Sequence, residues 1–205
     1  TYIIELEALS AEQNTSNNIF TTYIDVLDSR FNILILKSGN SPDLAAYLST
    51  ITDNKNYNIQ VKDINDDFIL EKYQLLVTFG VNNIPDKIID NNIPLLIFNA
   101  SQSHYNDFKS PIRFISKGGL EEIGCYKIDD FSKFSFSSNL LSFIADAPPL
   151  YTEFGSYDLK GKVECVLNQR IGVFESKNPV IFIHYLNSRK VCFISAQGWW
   201  KWKLY

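Results

Sequence analysis

Apolar runs of strand length, each separated from the next by a helix-starting signal, constrain the fold of this chain more than anything else in it. Phe31-Asn32-Ile33-Leu34-Ile35-Leu36 is almost continuously hydrophobic, the mark of a strand covered on both faces. Lys37-Ser38-Gly39-Asn40 ends it. Ser41-Pro42-Asp43 then opens a helix, with Ser41 as N-cap, Pro42 in the first turn and Asp43 on the positive end of the helix dipole. Leu44, Tyr47, Leu48 and Ile51 give that helix an apolar stripe. Tyr57 to Val61, Tyr73 to Gly80 and Pro94 to Asn99 repeat the strand signal. Asn65-Asp66-Asp67 is expected to cap a short helix through Leu70, and Pro85 to Asp90 to form another. Strand and helix alternate at short intervals, so the expectation is an α/β fold: a mostly parallel sheet with helices on both faces.

The pattern loosens after residue 100. Ser101 to Ser110 reads as a polar loop, and Ile112 to Ile115 and Cys125 to Ile128 as edge strands. Glu121-Glu122 reads as a solvated helix face. Asn139 to Ala145 reads as a helix that stops before Pro148-Pro149-Leu150. Val163 to Leu167, Val180 to Tyr185 and Lys190 to Ser195 are strand-like, with Leu186 to Arg189 a turn between the last two. The first thirty residues differ again. Tyr2 to Glu7 and Ile19 to Leu27 read as two strands joined by the polar stretch Ala11 to Asn18. An isolated hairpin is marginal in water, so it must pack on the rest or belong to a neighbouring β domain. The expected division is therefore 1–30, a β-hairpin ending a neighbouring β-sandwich domain, and 31–205, the α/β domain.

All three tryptophans fall within Trp199-Trp200-Lys201-Trp202 near the end of the chain. Tryptophan usually needs a buried face and a partner for its N–H, so Trp199, Trp200 and Trp202 are expected to start a helix that packs on the sheet or on the hairpin. An aromatic belt at a membrane interface is the competing reading. The chain stops on Tyr205 without a polar fraying segment, which leads us to expect a piece of a longer protein. A net charge of −4 on 205 residues supplies no basic footprint for nucleic acid. No apolar stretch approaches the roughly 20 residues that span a bilayer, and no signal peptide stands out. Cys125, Cys165 and Cys192 share no short spacing, which argues against a zinc site. Lys117-Gly118-Gly119 lacks the frame of a phosphate loop, and Asp66-Asp67 and Asp129-Asp130 read as caps and turns. No cofactor or metal is expected.

Three blocks carry a resemblance to a known family. The first is Ala11-Glu12 with Asn17-Asn18, then Ile33 to Leu36 and Ser41-Pro42-Asp43. The second is Ala147-Pro148-Pro149-Leu150 before a strand. The third is Pro179 to Ile183, a hairpin, and Gly198-Trp199-Trp200-Lys201-Trp202-Lys203-Leu204. Together they resemble the glutamine-amidotransferase-like domain of bacterial membrane proteins that often also carry a von Willebrand factor type A domain. The resemblance implies a flavodoxin-like α/β domain preceded by the end of a β-sandwich, with a tryptophan–basic–tryptophan segment opening its last helix. It also implies a place in the cell envelope, on the periplasmic side of the inner membrane, anchored by segments outside this chain.

The resemblance extends to class I amidotransferases, whose cysteine nucleophile sits on a sharp turn after a strand beginning Pro-x-Leu. Pro94-Leu95-Leu96-Ile97-Phe98-Asn99-Ala100-Ser101 is the equivalent here. Asn99 takes the cysteine's place, and it cannot form a thiolate. The glycine after the nucleophile is missing, and no segment matches the family's His-Pro-Glu. His184 falls within a strand, as a hydrogen-bonded core or rim residue. Two functions are therefore weighed. One is a non-catalytic interaction or scaffolding module, its partner a protein or a neighbouring domain. The other is a small-molecule or divergent hydrolase site at the carboxyl rim of the sheet, formed by Lys37, Ser38, Gly39, Gly80, Asn99, Ser101 and His104. A deep pocket in which Ser101 faces His104 favours the second; a shallow polar rim favours the first.

Overall fold

The computed structural model describes residues 2–7, 10, 13–23, 30–110, 112–161, 163–186 and 189–205, and the chain divides into two units, Thr1–Arg30 and Phe31–Tyr205. In the first unit β1 (Tyr2–Glu5) and β2 (Ile19–Thr22) pair antiparallel, with Tyr2 opposite Thr22 and Ile4 opposite Phe20. Paired and alternate residues share a face of a sheet. Tyr2, Ile4 and Phe20 therefore line one apolar face, and all three are exposed. Ala11-Glu12 and Ile24 to Leu27 lie outside the described residues.

The second unit runs β3 (Phe31–Lys37), α1 (Pro42–Ile51), β4 (Tyr57–Asp63), a single 3-10 turn (Leu70–Lys72), β5 (Leu75–Phe79), α2 (Asp86–Ile89), β6 (Leu95–Phe98) and α3 (Gln102–Asp107). It continues with β7 (Ile112–Lys127), α4 (Ser138–Asp146), β8 (Leu150–Leu159), β9 (Val163–Ile171), β10 (Phe174–Leu186), β11 (Arg189–Ile194) and α5 (Trp200–Leu204). Among the described residues one sheet takes up β3 to β11, in the order β4-β3-β5-β6-β11-β10-β9-β7-β8. β4, β3, β5, β6 and β11 are parallel neighbours, whereas β11, β10, β9, β7 and β8 pair antiparallel.

The sheet is thus mixed, which corrects the expectation of a mostly parallel one. The physical reason lies in the connections. Parallel neighbours need a crossover of a dozen or more residues, whereas antiparallel ones close through a tight turn. β9 and β10 are joined by Gly172-Val173, with Gly172 at φ 59°, a conformation that glycine adopts without strain.

Four further expectations need correction. Ser101 to Ser110 is not a loop but holds α3. The two edge strands at 112–115 and 125–128 belong to one strand, β7, which pairs with β8 over Ile112–Ile123 and with β9 over Gly124–Lys127. Its register shifts between Ser116 and Leu120, where Gly118 and Gly119 take φ of 78° and 83°, so a bulge turned the apolar pattern and hid its continuity. Glu121-Glu122 lies in that strand, paired with Thr152 and Tyr151, not on a helix. Asn65 to Asp67 caps no helix, because Asp66 and Asp63 use their side chains on the main-chain N–H groups of Asp63 and Asn65 to close a local turn.

The doubly apolar strands do what their sequence requires. Leu34 and Leu36 enter a core with Leu76, Leu95, Tyr105, Phe182 and Phe193. Ile33 and Ile35 point the other way, into a core with Val77, Phe79, Phe98 and Ile194 that α1 covers through Leu44, Tyr47, Leu48 and Ile51. The Ser41 hydroxyl accepts the Leu44 N–H at 3.1 Å, which starts α1 where the sequence places it. A third core, around Ile123, Leu150, Val166 and Val180, lies under α4 and the tryptophan segment.

Candidate functional site

The carboxyl ends of β3, β5 and β6 lie side by side because the three strands are parallel neighbours. Lys37, Ser38 and Gly39 follow from β3, Gly80 from β5, and Asn99 to Ser101 from β6. Ser38 donates its N–H to the Phe79 carbonyl at 3.0 Å. Gly80 sits at φ 64°, and a Cβ there would lie 3.1 Å from the Ser38 carbonyl oxygen, so this close approach needs glycine. Gly39 takes φ 81°. Ser38, Gly39, Gly80 and Asn99 are all exposed.

Asn99 is the turning point of this edge. It leaves β6 with φ 57°, in the left-handed region that asparagine tolerates better than most side chains. The next main-chain N–H, that of Ala100, donates to the Ile194 carbonyl at 2.8 Å. In a strand-to-helix nucleophile turn, the N–H after the nucleophile stabilises the developing oxyanion. Here a sheet carbonyl already occupies it.

Ser101 and His104 do meet, but as the two ends of a helix cap. His104, the third residue of α3, accepts the Ser101 N–H on Nδ1 at 3.0 Å in a capping box. The Ser101 hydroxyl is 2.9 Å from the same Nδ1 and 2.9 Å from the Ser103 hydroxyl. An Nδ1 that accepts an N–H leaves the proton on Nε2, and Nε2 donates to the Val81 carbonyl at 2.7 Å. Both ring nitrogens are engaged, and His104 is only 2% exposed. His184 stands elsewhere. It pairs with Val191 in β11, which pairs with Leu95 in β6, so it lies at the opposite end of that strand from Asn99, about 13 Å away along the strand direction. Its Nδ1 is 3.2 Å from the Ser110 hydroxyl, and burial pushes its pKa down.

The tryptophan segment is built into the fold. Trp199 precedes α5, and Trp199 and Trp202 pack edge to face at 4.8 Å. Their indole N–H groups donate to the Ala196 and Pro148 carbonyls, each at 2.9 Å. Lys201 donates to the Pro149 carbonyl at 2.8 Å and lies 4.0 Å above the Tyr151 ring. Trp200 does not share this burial; its ring is exposed. Sequence reasoning missed what fixes the segment. Asp43, buried at the start of α1, accepts the Gly198 and Trp200 N–H groups on its two carboxylate oxygens, each at 2.9 Å. Its position in the first turn had signalled only a favourable dipole contact.

The three thiols are not activated. Burial pushes the Cys125 and Cys192 thiols up to about 12 and raises that of Cys165, the reverse of what a nucleophilic thiolate requires. Among the described residues no three His, Cys, Asp or Glu side chains are grouped as metal ligands would be.

No family model matches the sequence, and no curated protein matches it. Solved structures do. A cytoplasmic protein from Salmonella typhimurium LT2 is 13% identical, covering 82% of this chain and 89% of its own, with a TM-score of 0.55. PurLQS from Thermotoga maritima is 12% identical over 82% of this chain and 87% of its own, with a TM-score of 0.50. Both likenesses are of fold, and they run over most of each chain. A β-galactosidase from Bacillus circulans sp. alkalophilus, 7% identical, aligns with 85% of this chain over 30% of its own length, with a TM-score of 0.51. Identities this low speak for the fold alone, an α/β one with a mixed sheet.

Proposed function

We propose that this chain is a non-catalytic interaction or scaffolding module on an amidotransferase-like frame, with a protein or a neighbouring domain as partner. The observation that carries the reading is Asn99. It occupies the turn after β6 in left-handed backbone, where a class I amidotransferase would hold its cysteine, and it offers no ionisable nucleophile. The Ala100 N–H bonded to Ile194 and the doubly engaged His104 ring point the same way. So does the exposure of Ser38, Gly39, Gly80 and Asn99. The parallel order β4-β3-β5-β6-β11 supports the finer, flavodoxin-like reading. The exposed apolar face of Tyr2, Ile4 and Phe20 supports the view that β1 and β2 belong to a larger β assembly. By resemblance, this module would serve in the extracytoplasmic part of a membrane-anchored envelope protein.

One observation favours the divergent-hydrolase reading: Ser101 Oγ lies 2.9 Å from His104 Nδ1. The same nitrogen already accepts the Ser101 N–H, so its single lone pair is shared and serves the serine hydroxyl poorly as a base. Purified protein is expected to hydrolyse neither glutamine nor an activated ester above the buffer rate. Turnover abolished by Ser101→Ala or His104→Ala would overturn the proposal and establish the hydrolase instead.

A further inference from the structure

Beside the rim, a cleft of about 430 Å³ opens between α1, α4 and α5 over the end of the sheet. Its walls are the rings of Tyr47, Phe98, Phe143, Trp199 and Trp202, with Ile181 and Ile194 beside them. A dry cavity of roughly 150 Å³ already holds a benzene ring, so this one has room for a fused aromatic pair. The rings are held by one another. Tyr47 packs on Phe79 and Phe98 at 5.5 and 5.4 Å, and Phe143 on Trp202 at 5.5 Å. The site is thus largely formed before a ligand arrives, which lowers the ordering cost of binding.

The polar groups at the cleft differ in how far they are engaged. Asp43 lines it, but both its oxygens are turned to the Gly198 and Trp200 amides. The Thr50 hydroxyl is spent on the Ala46 carbonyl. Lys203 has no carboxylate within 4.0 Å among the described residues. An aromatic lining next to a lysine with no carboxylate partner among the described residues complements a flat anion.

We propose that this cleft binds a small aromatic carboxylate, its ring set among Tyr47, Phe98, Phe143, Trp199 and Trp202 and its carboxylate on Lys203. The proposal is independent of whether the rim at Asn99 has a function. Titration calorimetry of the whole chain with 2-naphthoate, neutral 2-naphthamide and a naphthyl trimethylammonium salt tests it. Saturable binding of naphthoate is expected, tighter than that of the amide and the cation. Lys203→Gln, a change at an exposed position, should weaken naphthoate about three- to fivefold and leave the amide unchanged. Ala46→Trp should fill the cleft and abolish both while circular dichroism stays that of the parent. No saturable heat, tighter binding of the cation, or an unaltered naphthoate-to-amide ratio in Lys203→Gln would overturn the proposal.

Discussion

Replacing Asp43 by alanine removes the acceptor of two main-chain N–H groups at once. Gly198 is buried, so its N–H cannot turn to water, and losing a charged acceptor there costs about 1.5–3 kcal/mol. Trp200 is exposed, so its N–H recovers a water and costs about 1 kcal/mol. Loss of the negative charge from the first turn of α1 adds about 0.5 kcal/mol. The sum is about 3–4.5 kcal/mol, or a fall in Tm of roughly 6–18 °C for a chain of this size. Asp43→Asn keeps one acceptor oxygen and should cost about half as much. Urea denaturation followed by tryptophan fluorescence measures both, with an unchanged slope showing that stability alone has moved. If Asp43→Ala falls within about 1 kcal/mol of the parent, or Asp43→Asn costs as much as Asp43→Ala, the two-bond account of how α1 holds the tryptophan segment is wrong.

Three further outcomes are expected. Asn99→Gly should be neutral or slightly stabilising and Asn99→Val should cost about 1–2 kcal/mol, because only the first relieves left-handed backbone; equal melting temperatures for the two would refute the geometry. Trp202→Ala, which empties the contact with Phe143 and Trp199 and strands the Pro148 carbonyl, should cost about 3 kcal/mol in a denaturant melt. Burial lowers the folded pKa of His184, so the unfolded chain takes up the proton first as pH falls. Its contribution is complete above the ordinary value of about 6.5 and is lost as pH falls from there through the folded pKa. Stability should therefore drop less between pH 7 and pH 5 in His184→Gln than in the parent, and identical profiles would contradict the burial.

The inner strands of the parallel half were legible because they are covered on both faces, so Ile33 to Leu36 must be apolar at every position. Ser41-Pro42-Asp43 marked the start of α1 just as plainly. The antiparallel half was harder to read. β7 carries a glycine bulge at 118–119, and the charged pair Glu121-Glu122 follows it, so its two apolar ends look like separate strands. At the rim, Asn99 was found through its place after Phe98, while its left-handed backbone was not foreseen. The engagement of His104 was hidden for a different reason. Its partner is the Val81 main-chain carbonyl, and a carbonyl leaves no trace in side-chain identity. The same holds for Asp43, whose partners are two amides more than 150 residues away.

β6 receives its outer neighbour late. Its pairing partner β11, with Val191 beside Leu95, is made nearly a hundred residues later, after β7 to β10. At a synthesis rate of roughly 5–20 residues per second, that flank of β6 stays open for roughly 5–20 s on the ribosome. An open edge of Leu95-Leu96-Ile97-Phe98 is a template for pairing with another chain. A chain arrested before Arg189 should therefore aggregate through β6, and the yield of soluble protein in a cell should depend on how quickly translation carries the chain past residue 194.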